Sequence, residues 1–405
     1  MLVFTTIASL VNYASNLIFS RVLDPVGFGE LTALMAFVVF VAVPTGAAQT
    51  MLAERIARLR SDGEDETIRY LLRYAISHVV VIAAIATAVY AACVPLVVEL
   101  FDLREPGPAL ALIPVVFTAF LTPIALGALQ GFDRFFAFGL MILAMACARI
   151  IFGVPWTWAG GGPGGALGGY GVGMLVVLAF TAYRLRHLVL GRGTGTARRG
   201  LRRRPDGRTL IASGAFMAFA IISNLDVLLA KVFLSPEESG VYAAIATVGK
   251  VVLFLPSAIA VVMVPNAARA RHTEGSSQAV LRIAAFLVAA TAACAAVPAA
   301  IAPDLVVELM FGDGYEEAAD GVLPIVVAGA CLALLNLLVV YSVAIDHRRW
   351  TYLLVGGIAL QALAVALFHD SAAQIATVQA IVMAGVLVVN EAFFHSIVWR
   401  GRSTA

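Results

Sequence analysis

The sequence predicts an all-α polytopic membrane protein with twelve transmembrane helices in two six-helix lobes. Three observations predict this fold class: an apolar composition, a one-sided distribution of basic residues, and an internal repeat. Of the 405 residues, 61% are hydrophobic and 13% are charged, whereas soluble domains contain about 25% charged residues. Because so few charged residues are available to cover a surface in water, we expect the protein to be solvated mainly by lipid.

Twelve segments are long and apolar enough to be transmembrane helices, each of which needs roughly 20 mostly apolar residues. The predicted spans cover residues 2–23, 31–53, 74–98, 109–130, 135–157, 164–183, 209–233, 241–268, 278–302, 321–345, 350–368 and 373–399.

Basic residues lie mainly on one side of these spans. Alternate connections and the C-terminal tail carry 22 of the 27 Lys and Arg residues, and the opposite side carries three, namely Arg21, Arg104 and Lys231. Cytoplasmic loops of membrane proteins carry an excess of Lys and Arg. The distribution therefore predicts a multi-pass protein of the cytoplasmic membrane with both termini in the cytoplasm.

An internal repeat divides the chain into halves. The segment after the first span contains Pro25 and Gly29, and the segment after the seventh contains Pro236 and Gly240 at the same spacing. The pentapeptide LVVEL also occurs twice, beginning at Leu96 and again at Leu305. Their offsets are nearly constant along the chain, which indicates duplication.

Each half has an even number of spans, so both halves have the same orientation, as in the parallel repeats of some transporters. We predict an N-terminal lobe over residues 1–183, a basic cytoplasmic linker over 184–208, and a C-terminal lobe over 209–405. In proteins built this way, a substrate site is expected where the repeats face each other.

Polar side chains within spans are costly and usually face protein or a wet cavity. Two of them, Asn12 and Asn16, are four residues apart and share a helix face. The predicted cavity-lining residues are Asn12, Asn16, Arg21, Gln49, Arg149, Asp226, Lys231, Lys250 and Asn266.

Several of these residues have a second interpretation. Arg21 and Lys231 lie near outer span ends and could extend to the membrane interface. Asp226 lies five residues before Lys231, which is not a helical contact spacing, so its partner is expected on another helix. Lys250 lies deep in its span, where it either faces a cavity or forms a buried ion pair with Asp226.

The sequence gives no motif for catalysis, metal binding or nucleic-acid binding. The four cysteines form no C-x-x-C pair, so neither a zinc site nor a disulfide framework is predicted. The Gly-rich segment 158–173 lacks the GK[ST] ending of a phosphate loop and is interpreted as a loop entering a tightly packed helix. The Arg-rich segment 198–208 has no aromatic residue for base stacking. We therefore predict a transporter without cofactor, metal or nucleic-acid partner, not an enzyme.

Two segments resemble a known family. SRVLDPVGFGELTAL (20–34) and SNLDVLLAKVFLSPEESGVYAAIATV (223–248) are similar to the starts of the two lobes in polysaccharide-type flippases of the MATE/MOP superfamily. The resemblance implies movement of a polyprenyl-diphosphate-linked oligosaccharide across the membrane by alternating access, during surface polysaccharide biosynthesis. It also implies contact with membrane lipids and with glycosyltransferases or a polymerase of the same pathway.

Two alternatives stay open. A cation-coupled multidrug exporter of the same superfamily would use Asp226 as a proton or sodium site. A protein of another class would be a non-transporting scaffold or a subunit of a glycan-assembly complex.

Overall fold

A computed structural model describes residues 2–189, 207–254, 276–345 and 349–394, and these residues form helices and no strand. The α-helices are α1 Leu2–Val22, α2 Pro25–Ser61, α3 Asp65–Ala92, α4 Val94–Leu100, α5 Gly107–Ala111, α6 Ile113–Gly131, α7 Phe135–Trp156, α8 Gly162–Val189, α9 Gly207–Ile222, α10 Leu225–Phe233, α11 Pro236–Phe254, α12 Ser276–Ile301, α13 Pro303–Phe311, α14 Ala319–Ile345, α15 Arg349–Leu367 and α16 Ala372–Phe394.

The helices group into two compact units. Unit 1 comprises Met1–Leu23 and Phe37–Ser213, and unit 2 comprises Asp24–Ala36 and Gly214–Ala405. Helix α2 therefore contributes its first turns to unit 2 and the rest to unit 1. The lobe and linker limits inferred from the sequence stay a prediction.

The predicted spans correspond to helices wherever the structure describes them. Nine helical stretches of the described residues are long and apolar enough to cross a membrane. One stretch, Phe135–Arg186, contains two predicted spans, because a π-helical turn and Gly160, with φ 89°, separate α7 from α8. Helix α11 and the apolar helix Thr351–Leu367 account for the other two spans. The all-α prediction is confirmed.

Two helices extend beyond the limits predicted from hydropathy. Residues 54–73 were expected to form a loop, yet α2 continues to Ser61 and α3 begins at Asp65. Arg58 pairs with Glu54 one turn earlier at 3.9 Å, a spacing that supports an exposed helix. The helix stops before Gly63, whose φ of 73° is left-handed.

The seventh predicted span is divided into two helices. Helix α9 ends at Ile222 and α10 begins at Leu225. Asn224 precedes α10 with a non-helical φ of −135° and ψ of −5°. Its side-chain amide donates a hydrogen bond to the carbonyl oxygen of Ala220, at 2.9 Å. The Asn224 side chain therefore donates a hydrogen bond to a carbonyl oxygen that lost its backbone N–H donor where the helix is interrupted.

Glycines at every fourth position place α8 directly against α7. A Cβ at Gly169 would lie 2.3 Å from the carbonyl oxygen of Phe152, and one at Gly173 would lie 2.7 Å from Cβ of Ala148. Small residues at this spacing let two backbones approach closely in a membrane. The predicted tight packing after the Gly-rich turn is confirmed.

The repeated sequence elements form matching structures. LVVEL lies in α4 in the first half and in α13 in the second. Pro25 and Pro236 are the first residues of α2 and α11, where proline's missing N–H costs nothing. Within unit 2 these two helices cross at their repeated glycines, since a Cβ at Gly29 would lie 3.0 Å from Cα of Gly240.

Candidate functional site

The predicted polar residues of α1 and α2 differ in how far their side chains are buried in the protein. Asn12 and Arg21 are exposed on α1, and Asn16 between them is half-buried. Gln49 is half-buried on α2, where its carbonyl oxygen lies so close to Gly127 that a Cβ there would approach it to 2.7 Å. Gln49 therefore lies where α2 and α6 are in close contact.

Arg149 is the buried cation of unit 1. It lies on α7 with 9% of its surface exposed, and its guanidinium carbon is 5.6 Å from the centroid of the Phe19 ring on α1. Tyr170 on α8 is its other electrostatic neighbour. Within the described residues, Arg149 has no hydrogen bond or salt bridge. Its charge therefore lies among aromatic rings, and no carboxylate of the described chain pairs with it.

Tyr13 adds a second polar group without a partner in unit 1. Its hydroxyl is buried on α1 and has no hydrogen-bond partner among the described residues. Helices α1 and α7 run side by side, as Phe4 lies against Gly139 and Phe19 lies against Gly153. Tyr13 lies between Phe4 and Phe19 on α1, and Arg149 lies between Gly139 and Gly153 on α7. The two residues are therefore at a similar height along the two paired helices.

Asp226 is one of two buried acids in the described part of unit 2, together with Glu30 on α2. It lies in the first turn of α10, where the helix dipole favours a negative charge. Its Oδ2 accepts a hydrogen bond from the hydroxyl of Tyr242 on α11, at 2.9 Å. The expected partner on another helix is thus found. Its Oδ1 is buried and accepts no hydrogen bond from the described residues.

Lys250 joins the same network from α11. Its ammonium donates a hydrogen bond to Oδ1 of Asn224 at 3.1 Å, and it is an electrostatic neighbour of Asp226. A direct ion pair with Asp226 was one of the two interpretations of Lys250. The structure places the Asn224 amide next to the ammonium, at the break between α9 and α10, and both interpretations of Lys250 stay predictions.

Lys231 lies at the opposite end of α10 from Asp226. Only 3% of its surface is exposed, and its ammonium is 3.4 Å from the hydroxyl oxygen of Ser239. The last turn of a helix favours a positive charge. Lys231 is therefore buried in protein, and its position relative to the membrane interface stays a prediction. Asn266 lies outside the described residues.

Sequence reasoning missed several residues that surround these charges. Asn224 lies two residues before Asp226, and this closeness was the available signal. Tyr242 and Tyr170 carried no signal, since an isolated tyrosine in an apolar segment is ordinary. No group of three His, Cys, Asp or Glu residues that could hold a metal ion is present in the described part of the chain.

A neutral polar pair joins the last two spans of unit 2. Gln361 on α15 donates a hydrogen bond to the amide oxygen of Gln379 on α16, at 2.7 Å. Both side chains are fully buried. The amide oxygen of Gln361 and the amide nitrogen of Gln379 have no partner among the described residues. This pair links two helices without introducing a charge.

Comparisons with solved structures identify transporters with the same fold. An inward-facing multidrug resistance MATE family transporter of the MOP superfamily has a TM-score of 0.75 and 13% identity, over 95% of this chain and 94% of that chain. The lipid II flippase MurJ, in an inward closed conformation, has a TM-score of 0.71 and 10% identity, over 96% of this chain and 86% of that chain.

A third similar structure is a MOP superfamily transporter from Pyrococcus furiosus, for which reverse polarity of the binding pocket was taken to suggest a different function. It has a TM-score of 0.67 and 15% identity, over 98% of this chain and 92% of that chain. No protein-family model and no curated protein matches the chain. At these identities the likeness shows the fold, which is that of membrane transporters and flippases of the MOP superfamily.

Proposed function

We propose that the protein is a flippase that moves a polyprenyl-diphosphate-linked oligosaccharide across the cytoplasmic membrane by alternating access. The observation that carries this proposal is Arg149, a buried guanidinium in unit 1 with no salt bridge or hydrogen bond within the described residues. A charge inside a membrane helix costs about 2.5–3.5 kcal/mol. An uncompensated cation at such a position is explained if an anionic ligand neutralises it during transport.

A diphosphate is a ligand that fits this cation. Arg presents a planar group of N–H donors that binds phosphate oxygens in pairs. Lys231 and Lys250 already have polar partners in unit 2, so Arg149 is the stronger candidate for phosphate. Asn12 and Asn16 would supply amide groups for sugar hydroxyls. The polyprenyl tail would stay in the bilayer, and pathway glycosyltransferases would supply the substrate.

A second candidate function rests on Asp226. Its buried carboxylate has an Oδ1 atom with no hydrogen-bond partner among the described residues, as a proton- or sodium-coupled exporter would need. The fold is shared with multidrug transporters, so fold alone favours neither candidate. The two differ in the sign of the substrate's charge. Arg149 favours an anion, whereas Asp226 favours a cation.

Transport by purified protein separates these functions. The full chain is reconstituted in vesicles, and the transfer of a fluorescent polyprenyl-diphosphate oligosaccharide between leaflets is compared with that of a cationic dye. We expect transfer of the diphosphate lipid. Arg149→Gln should slow it by at least about tenfold, because hydrogen bonds to charged groups contribute about 1.5–3 kcal/mol. Arg149→Lys should retain part of the activity.

The matched control is Arg184→Gln, which removes an exposed arginine at the end of α8. It should leave transfer unchanged. Movement of the cationic dye alone, with loss on Asp226→Asn, would support the exporter and contradict the flippase. If neither substrate moves in vesicles where the protein is folded, the scaffold interpretation gains support.

A further inference from the structure

An apolar groove of about 470 Å³ runs along the outside of three helices of unit 1. Helices α3 and α8 both pack on α6, which forms the floor, and the side walls include Ile76 and Leu175. These two side chains are 37% and 39% exposed. The volume lies within the 300–1,000 Å³ range of small-molecule sites. The groove is therefore large enough for part of an extended hydrocarbon chain.

One end of the groove carries a positive charge. Arg186, near the end of α8, is the charged member of a lining that is otherwise apolar. Its guanidinium carbon lies 4.0 Å from the centroid of the Tyr183 ring. At the same end, Phe132 also lines the groove. Its carbonyl oxygen accepts a hydrogen bond from the Arg60 guanidinium at 2.8 Å.

The position of the groove relates it to one membrane leaflet. Its residues on α3, Leu72 to Val80, lie in the first half of that helix, and those on α6 and α8 lie in the second halves of these helices. Tyr74 is exposed on the same stretch of α3, and its ring contacts the His78 ring with 3.8 Å between the centroids. Tyrosine is enriched where helices leave the hydrocarbon. The charged end of the groove is thus at headgroup depth.

We infer that this groove binds one acyl chain of an anionic phospholipid whose phosphate lies against Arg186. The apolar lining fits the chain, since each buried CH₂ contributes about 0.8 kcal/mol. The guanidinium fits the phosphate, and its positive charge favours a headgroup with a net negative charge. The bound lipid fills the space between α3 and α8 and supports their packing on α6. This inference does not depend on which substrate the protein transports.

Native mass spectrometry of the purified full chain tests the inference. After delipidation, the protein is titrated with phosphatidylglycerol and with phosphatidylcholine that carries the same acyl chains. We expect one phosphatidylglycerol to bind more tightly than phosphatidylcholine. Arg186→Gln should lower the phosphatidylglycerol affinity about fivefold, as one basic residue near a headgroup contributes about 1 kcal/mol. Arg184→Gln, which changes an exposed arginine outside the groove, should not.

A filling variant tests the apolar part of the groove separately. Ala179 lines the groove, so Ala179→Trp should abolish retention of either lipid. Val176→Trp places the same ring on an exposed position of α8 outside the lining and should have no effect. Equal retention of both lipids, or retention by Ala179→Trp, would overturn the inference. Because the readout is lipid retention and not transport, failure here is distinct from failure of the flippase proposal.

Discussion

Units 1 and 2 contain repeats of one sequence pattern, yet they treat buried charge in different ways. In unit 1 the first span is a continuous helix, α1, and the buried cation Arg149 has aromatic neighbours. In unit 2 the corresponding seventh span is broken at Asn224. There, Lys250 donates to that amide and lies near Asp226. In unit 2 a buried acid thus lies near a cation, whereas the buried cation of unit 1 has no acid paired with it among the described residues.

The last two spans of each half show the same difference. In unit 1, Arg149 and Tyr170 are neighbours across α7 and α8. In unit 2, the neutral Gln361 and Gln379 form a hydrogen bond across α15 and α16. The two repeats of a duplicated fold can thus differ in whether a buried charge has an opposite charge beside it. Four variants test this difference.

Asp226→Ala should have the largest effect, because it removes the acid of the balanced network. The half-buried Lys250 and the buried Tyr242 hydroxyl would then lose the carboxylate, and removing one partner from a buried charge network costs about 3–5 kcal/mol. The free energy of unfolding, measured in mixed SDS micelles, should fall by that amount. Asp226→Asn keeps an acceptor for Tyr242 and should cost less. Equal losses would show that the charge is unimportant.

Arg149→Met should stabilise the protein, in contrast to Asp226→Ala. It replaces an unneutralised buried cation with an apolar side chain, so stability should rise by about 2.5 kcal/mol, the lower insertion cost of a buried charge. Thermal unfolding in detergent measures this gain. Lys250→Met is the matched variant, and it should lower stability because Asp226 loses a nearby cation. A loss for both variants would remove the contrast between the units.

Gly240→Ala tests the crossing of the repeated segments. The added Cβ would lie 2.1 Å from the Pro25 carbonyl oxygen, which requires a backbone shift that we expect to cost about 1–2 kcal/mol. Gly385→Ala is the control, since a Cβ there meets no atom within 4 Å. A lower unfolding temperature for Gly240→Ala alone supports the crossing. Identical melting curves would contradict it.

The double variant Gln361→Leu, Gln379→Leu should have the smallest effect. Interhelical hydrogen bonds in membrane proteins contribute about 0.6 kcal/mol on average, and the pair also leaves two buried polar atoms without partners. Replacing both residues should therefore change stability by less than about 1 kcal/mol. Each single variant should be worse than the double variant, and thermal melting of all three variants provides the comparison.

The fold could be predicted because its signals are local. Hydropathy located the spans, since each helix must satisfy its backbone alone within lipid. Spacing revealed the repeat, and Pro25 and Pro236 begin helices as their positions in the repeat suggest. Helix ends were less accurate, because hydropathy marks the membrane limits and α2 continues to Ser61 beyond them.

The site could be predicted only in part, because partners depend on how helices face each other. Sequence identified Asp226, Lys231 and Lys250 as costly residues within spans. It gave no means to pair Asp226 with Tyr242, which lies 16 residues away on another helix. Nor could it show that Arg149 would have aromatic neighbours and no paired acid among the described residues, because that depends on the rotation of α7 against α1.

Ligand-induced thermal stabilisation of the purified protein tests the central claim most directly. A ligand at free concentration L that binds only the folded state stabilises it by RT ln(1 + L/Kd), so the unfolding temperature rises with ligand concentration relative to Kd. Farnesyl diphosphate should stabilise the wild type, whereas farnesol should not. Arg149→Gln should require at least about tenfold more farnesyl diphosphate for the same rise, and Lys250→Gln should not. An unchanged response in Arg149→Gln would contradict the proposal that Arg149 in unit 1 binds the diphosphate.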